Sequence, residues 1–128
     1  GVRNSTYGSG AGAGGSIYVS CGAFSGGAQA RLWADGGSNA ASTLSGGGGG
    51  GRIAVWSGVP ATARQKFLQG VSSNLVQSAT PVKEFLGAVS ATNGTSYYTY
   101  PPDPLGAYPG SCWFFSADLP TGVMVQIQ

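Results

Sequence analysis

Six consecutive glycines, Gly46 to Gly51, run directly into Arg52-Ile53 near the middle of the chain. Ordering such a run loses more backbone entropy than ordering any other sequence. It is therefore either a flexible linker or a place where backbones approach with no side chain between them. The sequence offers a second case, because Gly14-Gly15 runs into Ser16-Ile17 in the same way. Glycines coupled twice to the start of an apolar segment favour close approach, where the chain turns a corner without crowding its neighbour.

The two cases belong to an internal repeat with an offset of 36 residues: GAGGSIYVSCG from Gly12 matches GGGGRIAVWSG from Gly48 in six of eleven places, and Leu32 falls on Leu68. A third, less regular copy starts at Gly94 with GTSYYTY. Each copy has one grammar, a glycine tract followed by a strand, a turn and a second apolar strand. Ile17, Val19 and Cys21 share one face, as do Ile53 and Val55, which is the period-two signal of half-buried β-structure. The companion strands are read at Ala28 to Asp35 and Lys66 to Ser72.

Over roughly Gly8 to Gly58, GGSI-type and GGGGGGRIA-type strands resemble a glycine-rich repeat of very large secreted and surface proteins of bacteria and some protists. The resemblance implies a repetitive β-fold, a right-handed β-helix, in a surface-exposed or adhesive protein, and it carries over no catalytic residues. The C-terminal half departs from the pattern and reads as a cap or a different module.

One domain is expected from the length, with a repeat region at 1–58, a connecting region at 59–93 and C-terminal strands at 94–128. In the connecting region, Pro60 before TARQKFLQ and Gly70 after it are helix punctuation. The repeat offset instead places Phe67-Leu68 in a strand, and that expectation is preferred; a short helix is expected at Val82 to Leu86. Pro101, Pro102, Pro104 and Pro109-Gly110 make an irregular loop. Strands resume at Cys112 as a hairpin turning at Leu119 to Gly122. The fold class is all-β, a short glycine-rich β-solenoid or β-helix-like or sandwich-like stack with a C-terminal hairpin.

Charge and chemistry narrow the function. Charged residues are 8% of the chain and the net charge of +2 is scattered, so no basic footprint for nucleic acid is visible. No apolar run is long enough to span a bilayer as a helix, so no membrane insertion is expected. With no histidine the chain lacks the commonest general base and metal ligand. Asp35, Glu84, Asp103 and Asp118 form no evident catalytic pair, and no Lys-Ser or Lys-Thr follows the glycines to make a phosphate loop. The expectation is a non-enzyme with no catalytic, metal or cofactor-binding residue and no cofactor.

Cys21 and Cys112 fit no metal motif and are expected to form a disulfide. Asn4 and Asn93 head candidate N-glycosylation sequons. The chain begins Gly1-Val2-Arg3 without Met, as a mature segment that had lost an N-terminal piece would. These features place the protein outside the cell or at its surface. The leading expectation is a structural protein that self-assembles into a filament or surface layer, or mediates adhesion. Its homo-polymer contact is read at the uncharged terminal strand through Val123, Val125 and Ile127. The alternative is a monomeric carbohydrate- or ice-binding module, whose glycan platform is sought among Tyr97, Tyr98, Tyr100, Trp33, Trp56 and Trp113, with Trp56, Tyr97 and Tyr98 foremost.

Overall fold

A computed structural model describes residues 10–39, 46–71, 75–95 and 107–117. Strands dominate: β1 (Ser16–Cys21), β2 (Arg31–Trp33), β3 (Arg52–Ser57), β4 (Leu75–Ser78), β5 (Ala88–Ser90) and β6 (Ser111–Ala117), with one helix, α1 (Ala61–Leu68), after β3. A four-stranded mixed sheet has the order β1-β3-β6-β4, in which β1, β3 and β6 are parallel and β4 is antiparallel to β6; β2 and β5 form a second, parallel pair.

The 36-residue repeat is the register of β1 on β3. Ser16 pairs with Arg52, Ile17 with Ile53 and Val19 with Val55, so equivalent residues of the two copies lie side by side. Stacking equal residues on one face is how a parallel pair buries one hydrophobic set against another. The core between the two sheets is built from Ile53, Val55, Phe114, Ala34 and Ala91, with Ile17, Val19, Leu32, Val89 and Cys112 packed around it. Phe24 stacks on Phe85 with ring centroids 5.0 Å apart and closes this core at the far end.

At the other end, the extended segments continue past the strands into a bundle with almost no side chains. Ala11 N–H donates to Gly46 O and Gly14 N–H to Gly49 O, three residues further on along both segments. Gly36 N–H donates to Thr92 O and Asn39 N–H to Thr95 O with the same step, and Gly48 and Gly51 N–H donate to Gly37 and Ala34 O, again three apart. A β-ladder repeats every two residues, whereas a step of three is the repeat of an extended polyproline-II-type chain, which makes no hydrogen bonds within itself and offers its amides to neighbours. Segment 46–51 lies at the centre, bonded to 11–14, 34–37, 94 and 108–111.

Glycine is needed here for space. Among the described residues only Gly58 and Gly70 have positive φ, so the tract glycines are not turn residues. A Cβ on Gly48 would collide with the carbonyl of Gly12, and one on Gly94 with that of Gly37. Gly49, in the same run, would meet only Tyr108 O at 3.6 Å, which is ordinary contact. The close-approach expectation thus describes the tract, and the linker alternative does not.

Several expectations are corrected. Residues 61–68 are helix, so Leu68 does not pair as Leu32 does, and it is exposed. Local punctuation overrides the repeat offset: Pro60 precedes the first helical residue, and Gly70 at φ 74° closes the end, with Gly70 N–H on Phe67 O and Val71 N–H on Lys66 O. Residues 82–86 form a turn and a bridge from Phe85 to Gly26 rather than a helix. Cys21 and Cys112 are both free thiols. They occupy opposite ends of strands separated by β3, with Cys112 level with Ile17. That puts them about 13 Å apart along the strands and about 10 Å across them, far beyond disulfide reach. The strand from Cys112 is present as β6, but its turn and return strand, with Val123, Val125 and Ile127, lie outside the described residues.

Candidate functional site

The four-stranded sheet has a second face, pointing away from the core, and α1 covers only half of it. At the C-terminal end of β3 and β6, Trp56 stacks on Phe115 with ring centroids 3.8 Å apart and planes 8° from parallel. Phe67 of α1 packs edge-on against both, and Val59, Ala63 and Leu75 complete the cluster. Trp56 is 3% exposed, which corrects its assignment to a glycan platform; it is the ring on which the helix docks. Its indole Nε1 is buried without a hydrogen-bond partner among the described residues.

The uncovered half carries two further rows of side chains. Tyr18, Ala54 and Trp113 lie level with one another on β1, β3 and β6, and Ser16, Arg52 and Ser111 form the next row toward the glycine bundle. Tyr18 and Trp113 are 59% and 40% exposed, respectively. With strands about 4.8 Å apart, the two rings stand about 10 Å from each other across the methyl of Ala54, and successive rows are about 7 Å apart. The small residue in the centre leaves an open shelf between two aromatic walls.

Cations border the shelf on both sides. Arg52 is exposed; its backbone N–H donates to Gly15 O, while its guanidinium makes no ion pair or hydrogen bond among the described residues. Beside it, a hollow of about 460 Å³ is lined by residues 49–52 and 108–111, including the exposed Tyr108. On the helix side, Arg64 Nη1 donates to Ser20 Oγ at 2.5 Å, anchoring a guanidinium one row beyond Tyr18. The described carboxylates are elsewhere: Glu84 pairs with Lys83, and Asp35 belongs to the β2–β5 side. Asp35 Oδ1 accepts from Ser90 Oγ, Thr92 N–H at 2.8 Å and Thr92 Oγ1 at 3.1 Å. The Ser90 bond, followed by the Thr92 amide, holds its carboxyl below the usual range. Burial, and secondarily the negative charge of Asp35, pushes the Cys112 thiol up, which makes it a poor nucleophile.

Of the residues singled out from sequence, Asn93 is described and exposed, while Tyr97, Tyr98, Tyr100 and Asn4 lie outside the described residues. Trp113 is one of the platform tryptophans read from sequence and is exposed on β6, as Trp33 is on β2; Tyr18, Tyr108, Arg52 and Arg64 are not among the residues singled out. A signal for Tyr18 is present in the sequence: if Ile17, Val19, Cys112 and Phe114 point to the core, alternation sends Tyr18 outward along with Trp113. Among the described residues, no group of three or more Cys, Asp or Glu is placed to hold a metal ion, and no helix is long and apolar enough to cross a membrane. No family model, curated protein or solved structure matches the chain.

Proposed function

We propose that this chain is an adhesion domain acting outside the cell or at its surface, working by binding rather than catalysis, with the open half of its outer sheet face as the contact. The observation that carries this is the Tyr18–Ala54–Trp113 row, two large exposed rings level with each other on a parallel sheet. Exposed aromatics held by a rigid scaffold supply contact area at small entropic cost. The glycine bundle supports the reading by locking the strands from one end and α1 by locking them from the other. The surface location rests on the low charge and on the exposed Asn93 sequon. The parallel succession β1, β3, β6 facing β2 and β5 is what two or three turns of a short coil would give, and we read the fold in that way.

The test uses beads coated with the chain and presented to cell-surface preparations from bacteria, fungi and algae. Retention of wild-type beads on at least one surface is expected, with loss in the double variant Tyr18→Ala, Trp113→Ala and none in Trp33→Ala, an equally exposed ring on β2. Equal retention of all three would remove the outer face from consideration.

Self-assembly remains the second reading, for one specific reason. Strand β1 is at the sheet edge among the described residues, and its sequence SIYVSC contains neither charge nor proline, the usual guards against pairing with another copy. Size-exclusion chromatography of the purified chain separates the two, since pairing at that edge gives species larger than a monomer.

A further inference from the structure

Resting on the adhesion reading, we infer that the ligand of the outer face is an acidic glycan, a polysaccharide whose rings carry carboxylate or sulfate groups. The shelf matches such a ligand in three ways. A pyranose presents a flat face of C–H groups, which packs on an aromatic ring, and Tyr18 and Trp113 stand about 10 Å apart with only Ala54 between them. Hydroxyls need hydrogen-bond partners at the rim, and Ser16 and Ser111 flank the central residue of the adjoining row. That central residue is Arg52, an exposed guanidinium with no internal partner among the described residues; the second cation, Arg64, lies across the aromatic row. A guanidinium fork fits carboxylate or sulfate oxygens in a bidentate manner.

The charge count favours a glycan over single-stranded nucleic acid, which also stacks on aromatic rings. A nucleic-acid groove tracks a phosphate at every residue with a continuous cationic stripe, whereas here two discrete cations flank two rings. A neutral glycan offers Arg52 only hydroxyl and ring oxygens, whereas a carboxylate or sulfate gives its guanidinium a charge-assisted, bidentate bond.

The experiment measures binding of the full chain to immobilised polygalacturonate, dextran sulfate, unmodified dextran and oligothymidylate by interferometry at low and moderate salt. Binding to polygalacturonate or dextran sulfate is expected, with the stronger of the two deciding between carboxylate and sulfate as the recognised group. Affinity should fall about tenfold in Arg52→Gln and about tenfold in Trp113→Ala, weaken with salt, and stay unchanged in Trp33→Ala. Thermal melts of each variant check that the fold is retained. Equal binding to dextran, tighter binding to oligothymidylate, full binding by Arg52→Gln, or no binding to either acidic polymer would each overturn the inference. If the bead assay still depends on Tyr18 and Trp113 while no acidic polymer binds, the inference fails and the adhesion reading stands. If bead retention ignores those rings, both fail.

Discussion

The same extended segments are packed in two different ways along their length. In the strand half, Ile53, Val55 and Phe114 fill the space between sheets with side chains, and neighbours pair on a two-residue repeat. In the glycine half, residues 46–51 touch their neighbours backbone to backbone, and the hydrogen bonds recur every three residues. The first packing is set by volume, which side chains adjust by changing rotamer. The second is set by backbone contact distance, which nothing can adjust. A chain with a modest apolar core gains order from the second without needing more apolar residues.

The comparison predicts that adding one methyl group to the glycine half is far worse than removing one from the strand half. Gly48→Ala pushes a Cβ into the Gly12 carbonyl, and separating two hydrogen-bonded segments is the only relief. A loss of about 4 kcal/mol or more is expected, with a melting temperature lower by about 15 °C. Gly49→Ala, one residue along, meets only Tyr108 O at 3.6 Å and should change stability by less than about 1 kcal/mol in either direction. Thermal melts of the two variants side by side are decisive. Equal losses would mean that the tract resists alanine for conformational reasons, and the three-residue packing would not be its cause.

Ile53→Val is the matching change in the strand half. Ile53 is 1% exposed, and deleting its terminal methyl leaves a small cavity that neighbouring side chains partly close. The expected loss is about 1 kcal/mol, or about 4 °C. Guanidinium unfolding of both halves' variants should show one cooperative transition, since the bundle and the strands are the same segments. Two transitions would show that the glycine half opens separately.

What could be read from the sequence follows the same division. The register of β1 on β3 was legible because side chains repeat there: Ile17 with Ile53 and Val19 with Val55. The third parallel strand was sought at Gly94, where an aromatic-rich GTSYYTY echoes the repeat. Residues 96–100 of that segment lie outside the described residues; the parallel neighbour of β3 is β6, whose GSCWFFS keeps the Gly-Ser start but changes the offset to 59 residues, from Arg52 to Ser111. The three-residue repeat left no trace, because a run composed only of glycine cannot display which of its positions must be glycine. Gly47, Gly48, Gly50 and Gly51 have no room for a Cβ, while Gly46 and Gly49 do. The helix at Ala61–Leu68 is signalled by Pro60 and Gly70, local punctuation that outweighs the repeat offset. At the site, β-alternation implied that Tyr18 and Trp113 face outward. That Ala54 separates them and that Arg52 and Arg64 flank them depends on strand order and helix docking, which no local pattern encodes.

The smallest expected effect lies where the two packings meet. Asp35 directly follows Ala34, a core residue whose carbonyl already accepts from Gly51 of the bundle, and precedes Gly36; its carboxylate accepts from Ser90 at the end of β5 and Thr92 in the adjoining segment. Because these bonds favour the anion, its pKa lies below the ordinary value in the folded chain. A depressed folded-state pKa contributes stability above the unfolded pKa, and that contribution is lost as pH falls through the folded one. Asp35→Asn should therefore melt slightly below wild type near neutral pH, and the gap should narrow on acidification through the carboxylate range as the wild-type group takes up its proton. Taking the difference between the two proteins at each pH cancels what the other carboxylates do. A gap that stays constant down to about pH 3 would mean that the bonds from Ser90 and Thr92 work as well to a neutral oxygen. Asp35 would then join the two packings by geometry alone, with its charge playing no part.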